Sequence, residues 1–308
     1  MIKTEHLTKK YGDLTAIKDL NFKVESGRIW GLLGPNAAGK TTTMRILTGY
    51  LPATEGKASV GDFDVFSHSY QAKKITGYLP ENVPLYPEMT VDSFLSFVAE
   101  IKQIPSSQKK SAVTRAIEIA ALEPVKKRLI KNISRGFKQR VGIAQALIHD
   151  PQILILDEPT IGLDPAQIKE IRDLIKSLKG NRTILLSTHI LAEVTQTCDG
   201  VVIINEGKLM ASGSLEELTA SFKKGEGVFV KIREGKSEHV ALFSKIPGVK
   251  RVEWKNEGFE IEWAKTDDIR SKIVRLIVNK GWDLVEMRPF AMNIEELYLN
   301  VVTGRTEQ

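Results

Sequence analysis

Hydrophobic positions fall along this chain in three arrangements. Up to about residue 75 they come in short runs, Leu14–Val24, 28–33 and 57–65, which predict strands around one helix over 40–48. From about 84 to 149 the spacing turns helical. Val91, Phe94, Leu95, Val98 and Ile101 line one helix face behind Thr90, a residue suited to cap it, and further helices are predicted over 112–122 and 138–148. From 151 to about 221 strand and helix alternate, over Ile153–Leu156, 165–178, 183–187, 190–197 and 201–204. That order predicts parallel strands joined by crossover helices.

A polar, glycine-containing break at 223–227 separates a second pattern. Strands are predicted over 228–233, 250–254, 259–263 and 282–287, with helices over 238–245 and 267–279. This is the βαββαβ order of a ferredoxin-like sandwich, followed by a closing helix over 294–301. The expected domains are therefore 1–222 and 226–308.

Composition narrows the class. With 308 residues, 42% hydrophobic, 27% charged and 23 glycines, the chain is long enough for two cores and unlike collagen or a disordered tract. Cys198 is the only cysteine, so no internal disulfide can form. The opening residues Met1 to His6 have no apolar stretch, and no secretory leader is expected. The longest aliphatic runs are strand-sized, far below the roughly 20 residues a membrane span needs. The net charge of +6 is uneven: 102–140 holds eleven basic residues against Glu118 and Glu123. Such a segment suits a solvated helix face, an anionic membrane surface, an acidic partner or nucleic acid, and composition does not choose among them.

Gly34-Pro35-Asn36-Ala37-Ala38-Gly39-Lys40-Thr41 fits G-x-x-x-x-G-K-[ST], between a predicted strand and a predicted helix. Glycines let backbone N–H groups curl around a phosphate chain, and the helix start adds partial positive charge. Lys40 is expected to reach the β- and γ-phosphates and the Thr41 hydroxyl a Mg²⁺ ion, with Thr42 beside them. A strand-turn-helix with incidental glycines is the plain alternative. The apolar strand Ile153–Leu156 ends in Asp157 and Glu158, and open α/β sheets gather their sites at such strand ends. Asp157 suits the cation and Glu158 a general base acting on water.

Five further segments, in order, give the chain its resemblance to the nucleotide-binding subunits of ATP-binding cassette (ABC) transporters. Ile133-Ser134-Arg135-Gly136-Phe137-Lys138-Gln139-Arg140 resembles the signature motif, with Gly136 lying 21 residues before Asp157. Gly162-Leu163-Asp164-Pro165 resembles the D-loop, Ser187-Thr188-His189 the switch histidine, and Gly77-Tyr78-Leu79-Pro80-Glu81 the approach to the Q-loop. Tyr11 stands where an aromatic stacks on adenine. The resemblance covers residues 2–221 and is nearest to single-cassette exporter subunits of multidrug and gliding-motility-like type.

The resemblance implies a P-loop NTPase fold of the α/β class: a RecA-like core, an antiparallel β subdomain and a helical subdomain over about 84–149. It implies an ATPase using ATP and Mg²⁺, with Glu158 and His189 catalytic. ATP would be held by Tyr11, the loop from Gly34 to Thr42, Glu81, and the partner's Ser134 and Gly136 positions. The metal would be held by Thr41, Glu81 and Asp157. Asp164 would contact a second cassette, identical or related, and both would serve a separate integral-membrane permease from the cytoplasmic face. No DNA partner is implied. A soluble ABC-type ATPase acting on nucleic acid or ribosomes is the competing reading.

The same residues have plainer readings. His189 alone suits a helix-opening residue under the sheet, Tyr11 a sheet-edge packing residue, and Ser134 and Asp164 ordinary helix caps. Three departures stand out. Ala37 replaces a frequent glycine, and a right-handed backbone is expected there because alanine resists positive φ. Arg135 and Phe137 replace a glycine and a glutamine of the signature, and Glu81 replaces the Q-loop glutamine.

Overall fold

A computed structural model describes residues 1–222, 226–263, 268–290 and 298. The chain divides into two compact units between Leu215 and Glu216.

The first unit is built on a six-stranded sheet. Its order is Lys208–Ser214, Gly200–Asn205, Ile29–Leu33, Thr183–Thr188, Ile153–Leu156, Thr76–Leu79. All neighbours are parallel except the first pair. Ile29–Leu33, Ile153–Leu156 and Thr183–Thr188 are buried at every position, as continuous apolar runs covered on both faces should be. A second, antiparallel sheet joins Leu14–Val24, Ile2–Tyr11, Glu55–Val60 and Phe63–Asp64. The strand expected over 57–65 is therefore two, because Gly61 turns the chain at positive φ. Lys208–Ser214 was not legible: it has no fully buried residue and lies at the sheet edge.

The parallel register positions the chemistry. Leu33 pairs with Thr188, and Leu156 with Leu186. The segments that follow, from Gly34, Asp157 and His189, therefore leave the same end of the sheet.

Helices Val91–Ile101, Ser106–Ile119 and Arg135–Leu147 form a separate apolar cluster through Phe94, Leu95, Val113, Ile117, Val141 and Ala144. Thr90 caps the first by accepting from the Ser93 N–H at 3.2 Å. The second starts at Ser106, six residues before its predicted limit. Pro105 fixes the entry, and the opening turns carry Lys, Ser and Gln, which hide the periodicity.

In the second unit the antiparallel order is Val249–Lys255, Gly258–Trp263, Glu226–Ile232, Leu284–Phe290. Counted along the chain this is second, third, first, fourth, the order of a ferredoxin-like sandwich. Phe243, Ile273 and Ile277 from its helical side pack with Val228, Val230, Phe259 and Trp263. The closing helix expected over 294–301 lies outside the described residues.

Candidate active site

The strand Ile29–Leu33 enters a tight loop at Gly34 and leaves it into the helix Lys40–Leu47. The two outer glycines are sterically required. A β-carbon at Gly34 would strike the Ile204 carbonyl oxygen, and one at Gly39, where φ is 101°, would lie 2.6 Å from Ile17 Cγ2. Ala37 corrects an expectation: its φ is 64°, left-handed rather than right-handed. Its side chain is exposed, so the β-carbon meets only its own backbone, and the loop imposes the conformation. Replacing Ala37 with glycine should therefore raise stability by about 0.5–1 kcal/mol, read as a higher urea midpoint at unchanged slope.

Lys40 is 5% exposed and fully engaged. Its Nζ donates to the Gly34 carbonyl at 2.9 Å and the Pro35 carbonyl at 3.1 Å, and lies 3.3 Å from Glu158 Oε1. The other Glu158 oxygen, Oε2, is 3.1 Å from His189 Nδ1. A buried carboxylate thus sits between the phosphate-loop lysine and the histidine expected to be catalytic. Glu158 itself has φ 47°, a strained value for a glutamate, in a turn closed by the Ile161 N–H on the Glu158 carbonyl at 3.2 Å.

Asp157 is buried completely. Its Oδ1 accepts from Ser187 Oγ at 2.6 Å and Thr41 Oγ1 at 3.3 Å, while Oδ2 has no hydrogen-bond partner. Burial pushes its carboxyl above the ordinary aspartate value, the Ser187 and Thr41 hydroxyls pull it back, and the charges of Glu81 and Glu158 raise it further. An unpaired buried oxygen beside a hydroxyl is the donor set a hard cation takes.

The remaining expected residues gather elsewhere. Ser134 caps the helix Arg135–Leu147, accepting from the Phe137 N–H at 3.3 Å, and Asp164 caps Pro165–Ser177, accepting from the Gln167 N–H at 2.9 Å. These two helix starts pack together: a β-carbon on Gly136 would lie 2.9 Å from Gln167 Cδ, and one on Gly162 would strike the Arg135 guanidinium. No hydrogen bond or ion pair among the described residues joins Ser134, Gly136 or Asp164 to the phosphate loop. Tyr11 closes its strand at the hairpin with Leu14 and is 45% exposed, with Lys9 Nζ 5.3 Å from the ring centroid. Glu81 is exposed and near enough to Asp157 to act on its charge.

A family described as "ABC transporter" matches residues 17–161. The bacitracin transport ATP-binding protein BcrA of Bacillus licheniformis is 35% identical over 99% of this chain and 98% of its own length. The chain belongs to the ABC transporter family. The linearmycin resistance ATP-binding protein LnrL of Bacillus subtilis is 30% identical over 99% of both chains. A solved ATP-binding subunit of an ABC transporter superposes with a TM-score of 0.65 at 29% identity, over 72% of this chain and 93% of that one. The chain is thus an ABC ATP-binding subunit and an ATPase.

Within this ABC cassette some functional groups escaped the sequence reading. In the sequence Ser187 stands out only as a neighbour of His189. Its hydroxyl links the two carboxylate positions, accepting from the Glu158 N–H at 2.8 Å while donating to Asp157. The pairing of Leu156 with Leu186 was the signal, and it exists only in the sheet. Glu193 was missed altogether, although it is buried and accepts from two threonine hydroxyls.

Proposed function

We propose that this chain hydrolyses ATP as one of a pair of cassettes, identical or related, and drives export through a separate membrane-embedded permease. The supporting observation is a division of labour within one chain. Lys40, Thr41, Asp157, Glu158 and His189 gather at one sheet end, while among the described residues the exposed, capped helix start at Ser134 has no bond to them. A capped helix start presents N–H groups that bind anions, so each chain carries one hydrolytic half and one anion-binding half. Two-fold pairing would bring the Ser134 and Gly136 segment of one copy to the γ-phosphate held by the other, with Asp164 at the seam.

In this reading Glu158 takes the proton of the attacking water, and Lys40 and the loop N–H groups bind the phosphates. His189 Nδ1 fixes the base through Oε2. Thr41 and Asp157, with Glu81 nearby, would hold Mg²⁺, which supplies positive charge against the phosphate oxygens. Tyr11 supplies a face for adenine.

Names of full-length relatives tied to bacitracin transport and linearmycin resistance support antibiotic export as the direction of travel. Among the described residues no helix is long and apolar enough to cross a membrane. In this reading the membrane path belongs to the partner. A cleft of about 850 Å³, lined by Tyr70, Lys73, Lys74, Ile101, Lys102 and Arg115, offers that partner a seat. None of its four cations has an ion-pair partner among the described residues. His149 on its wall is held neutral, pushed down to about 4 by burial and then by the Lys102 charge.

Co-expression with the permease tests the proposal. Charge reversal at Lys73 and Lys102 should abolish recovery of the chain with the membrane subunit and leave ATP binding by the isolated chain unchanged. Retained association would unseat the cleft. RNA binding that weakens steeply with salt would instead favour the soluble, nucleic-acid reading.

A further inference from the structure

Glu193 is 7% exposed, on the helix Leu191–Thr197. A carboxylate so deeply buried needs partners. Its Oε1 accepts from Thr160 Oγ1 at 2.5 Å and its Oε2 from Thr188 Oγ1 at 2.6 Å. Both fall in the range of about 2.5–2.7 Å found for hydroxyl donors on carboxylate oxygens. Thr188 Oγ1 also accepts from the Ile190 N–H at 3.0 Å, so this one hydroxyl spans His189 from both sides. Thr160 lies two residues beyond Glu158, in the strained turn that begins there.

The two loops that carry Glu158 and His189 are thus tied to the same carboxylate, one to each oxygen. Its helix is itself anchored. Val194, the next residue, is fully buried, and its Cγ2 lies only 3.0 Å from where a β-carbon on Gly31 would stand, in the strand that feeds the phosphate loop. We infer that Glu193 is a positioning residue: a two-point clamp that sets Glu158 and His189 at their working separation and references both to the phosphate-loop strand. Among the described residues no hydrogen bond or ion pair joins it to Glu158 or His189 directly, and its effect on hydrolysis runs through the geometry of that pair. The inference rests on the hydrolytic roles given to those two residues.

Glu193→Gln keeps the shape but turns one acceptor into an amide donor facing a hydroxyl. Misplacement by a fraction of an ångström to one ångström can cost up to about 100-fold in rate. We expect kcat to fall about 10- to 100-fold in the intact chain with its permease, while KM and the Kd for ATP stay within about twofold, because Lys40 and Thr41 keep their contacts. In a His189→Ala background the same change should add clearly less than its full loss, since one of the two groups it positions is gone and no separation between them remains to be set. Thr160→Val should reproduce the kcat loss and Thr160→Ser restore it, which keeps the test open if Glu193→Gln folds poorly. A loss confined to Kd, or losses that multiply in full with His189→Ala, would overturn the clamp. Normal turnover in Glu158→Gln would overturn the underlying assignment instead, so the two failures are distinguishable.

Discussion

Replacing Glu158 by glutamine should leave ATP binding and cassette pairing intact while turnover falls by about 10²- to 10⁴-fold, the range a positioned general base contributes. Glutamine matches glutamate in size, so the turn at Glu158 and the Ser187 bond to its backbone N–H are preserved. What is lost is the oxygen that accepts a proton from water. The Lys40 contact at 3.3 Å and the His189 contact at 3.1 Å then face a neutral amide, which favours an extra anion nearby rather than opposing it. The variant should therefore accumulate as an ATP-bound pair, seen as a doubling of mass in light scattering with ATP and Mg²⁺. Phosphate release at the wild-type rate would remove Glu158 from its role, and an ATP-bound monomer would remove the paired site.

Lys40→Ala is expected to act on both binding and stability. The nucleotide loses a buried cation, and affinity for ATP should drop by about 100-fold or more, as when one partner of a desolvated charge pair is truncated. The fold loses as well. Gly34 and Pro35 carbonyls lose their donor, and Glu158 keeps its burial without the ammonium beside it. Leaving a buried charge uncompensated costs about 3–5 kcal/mol when nothing replaces the partner. His189 remains beside Glu158, so a loss of about 2–3 kcal/mol is expected, read from urea unfolding. Adding Glu158→Gln to Lys40→Ala should recover part of that stability and none of the ATP affinity. If the double variant were as unstable as the single one, the ion pair would not be the source of the loss.

Both substitutions fall at positions that the sequence marks, and what marks them is local. The phosphate loop is legible because a phosphate cradle needs small residues, a lysine and a hydroxyl within eight positions of one turn. The strand Ile153–Leu156 is legible because burial on both faces demands an unbroken apolar run, and the two carboxylates that follow inherit their place from it. Thr90, Ser134 and Asp164 are caps because their side chains reach an N–H three residues on, a contact fixed by chain spacing alone. The ferredoxin-like order also followed from the succession of elements, since few sheet orders satisfy short connections.

Other features had no local signal. Alanine at position 37 prefers a right-handed backbone by itself, yet the loop, fixed by Gly34 against Ile204 and Gly39 against Ile17, holds it left-handed. The strand Lys208–Ser214 takes its conformation from Gly200–Asn205 rather than from its own side chains. The sequence by itself determined the family, the phosphate loop, the strand-end carboxylates and the helix caps, because each depends on groups a few residues apart. Only the tertiary structure decided that Ser187 bridges Asp157 to Glu158, that Arg135 covers Gly162, and that Glu193 fastens Thr160 to Thr188. Those contacts join segments that become neighbours only when strands pair and helices dock, and burial then makes each polar group require a partner.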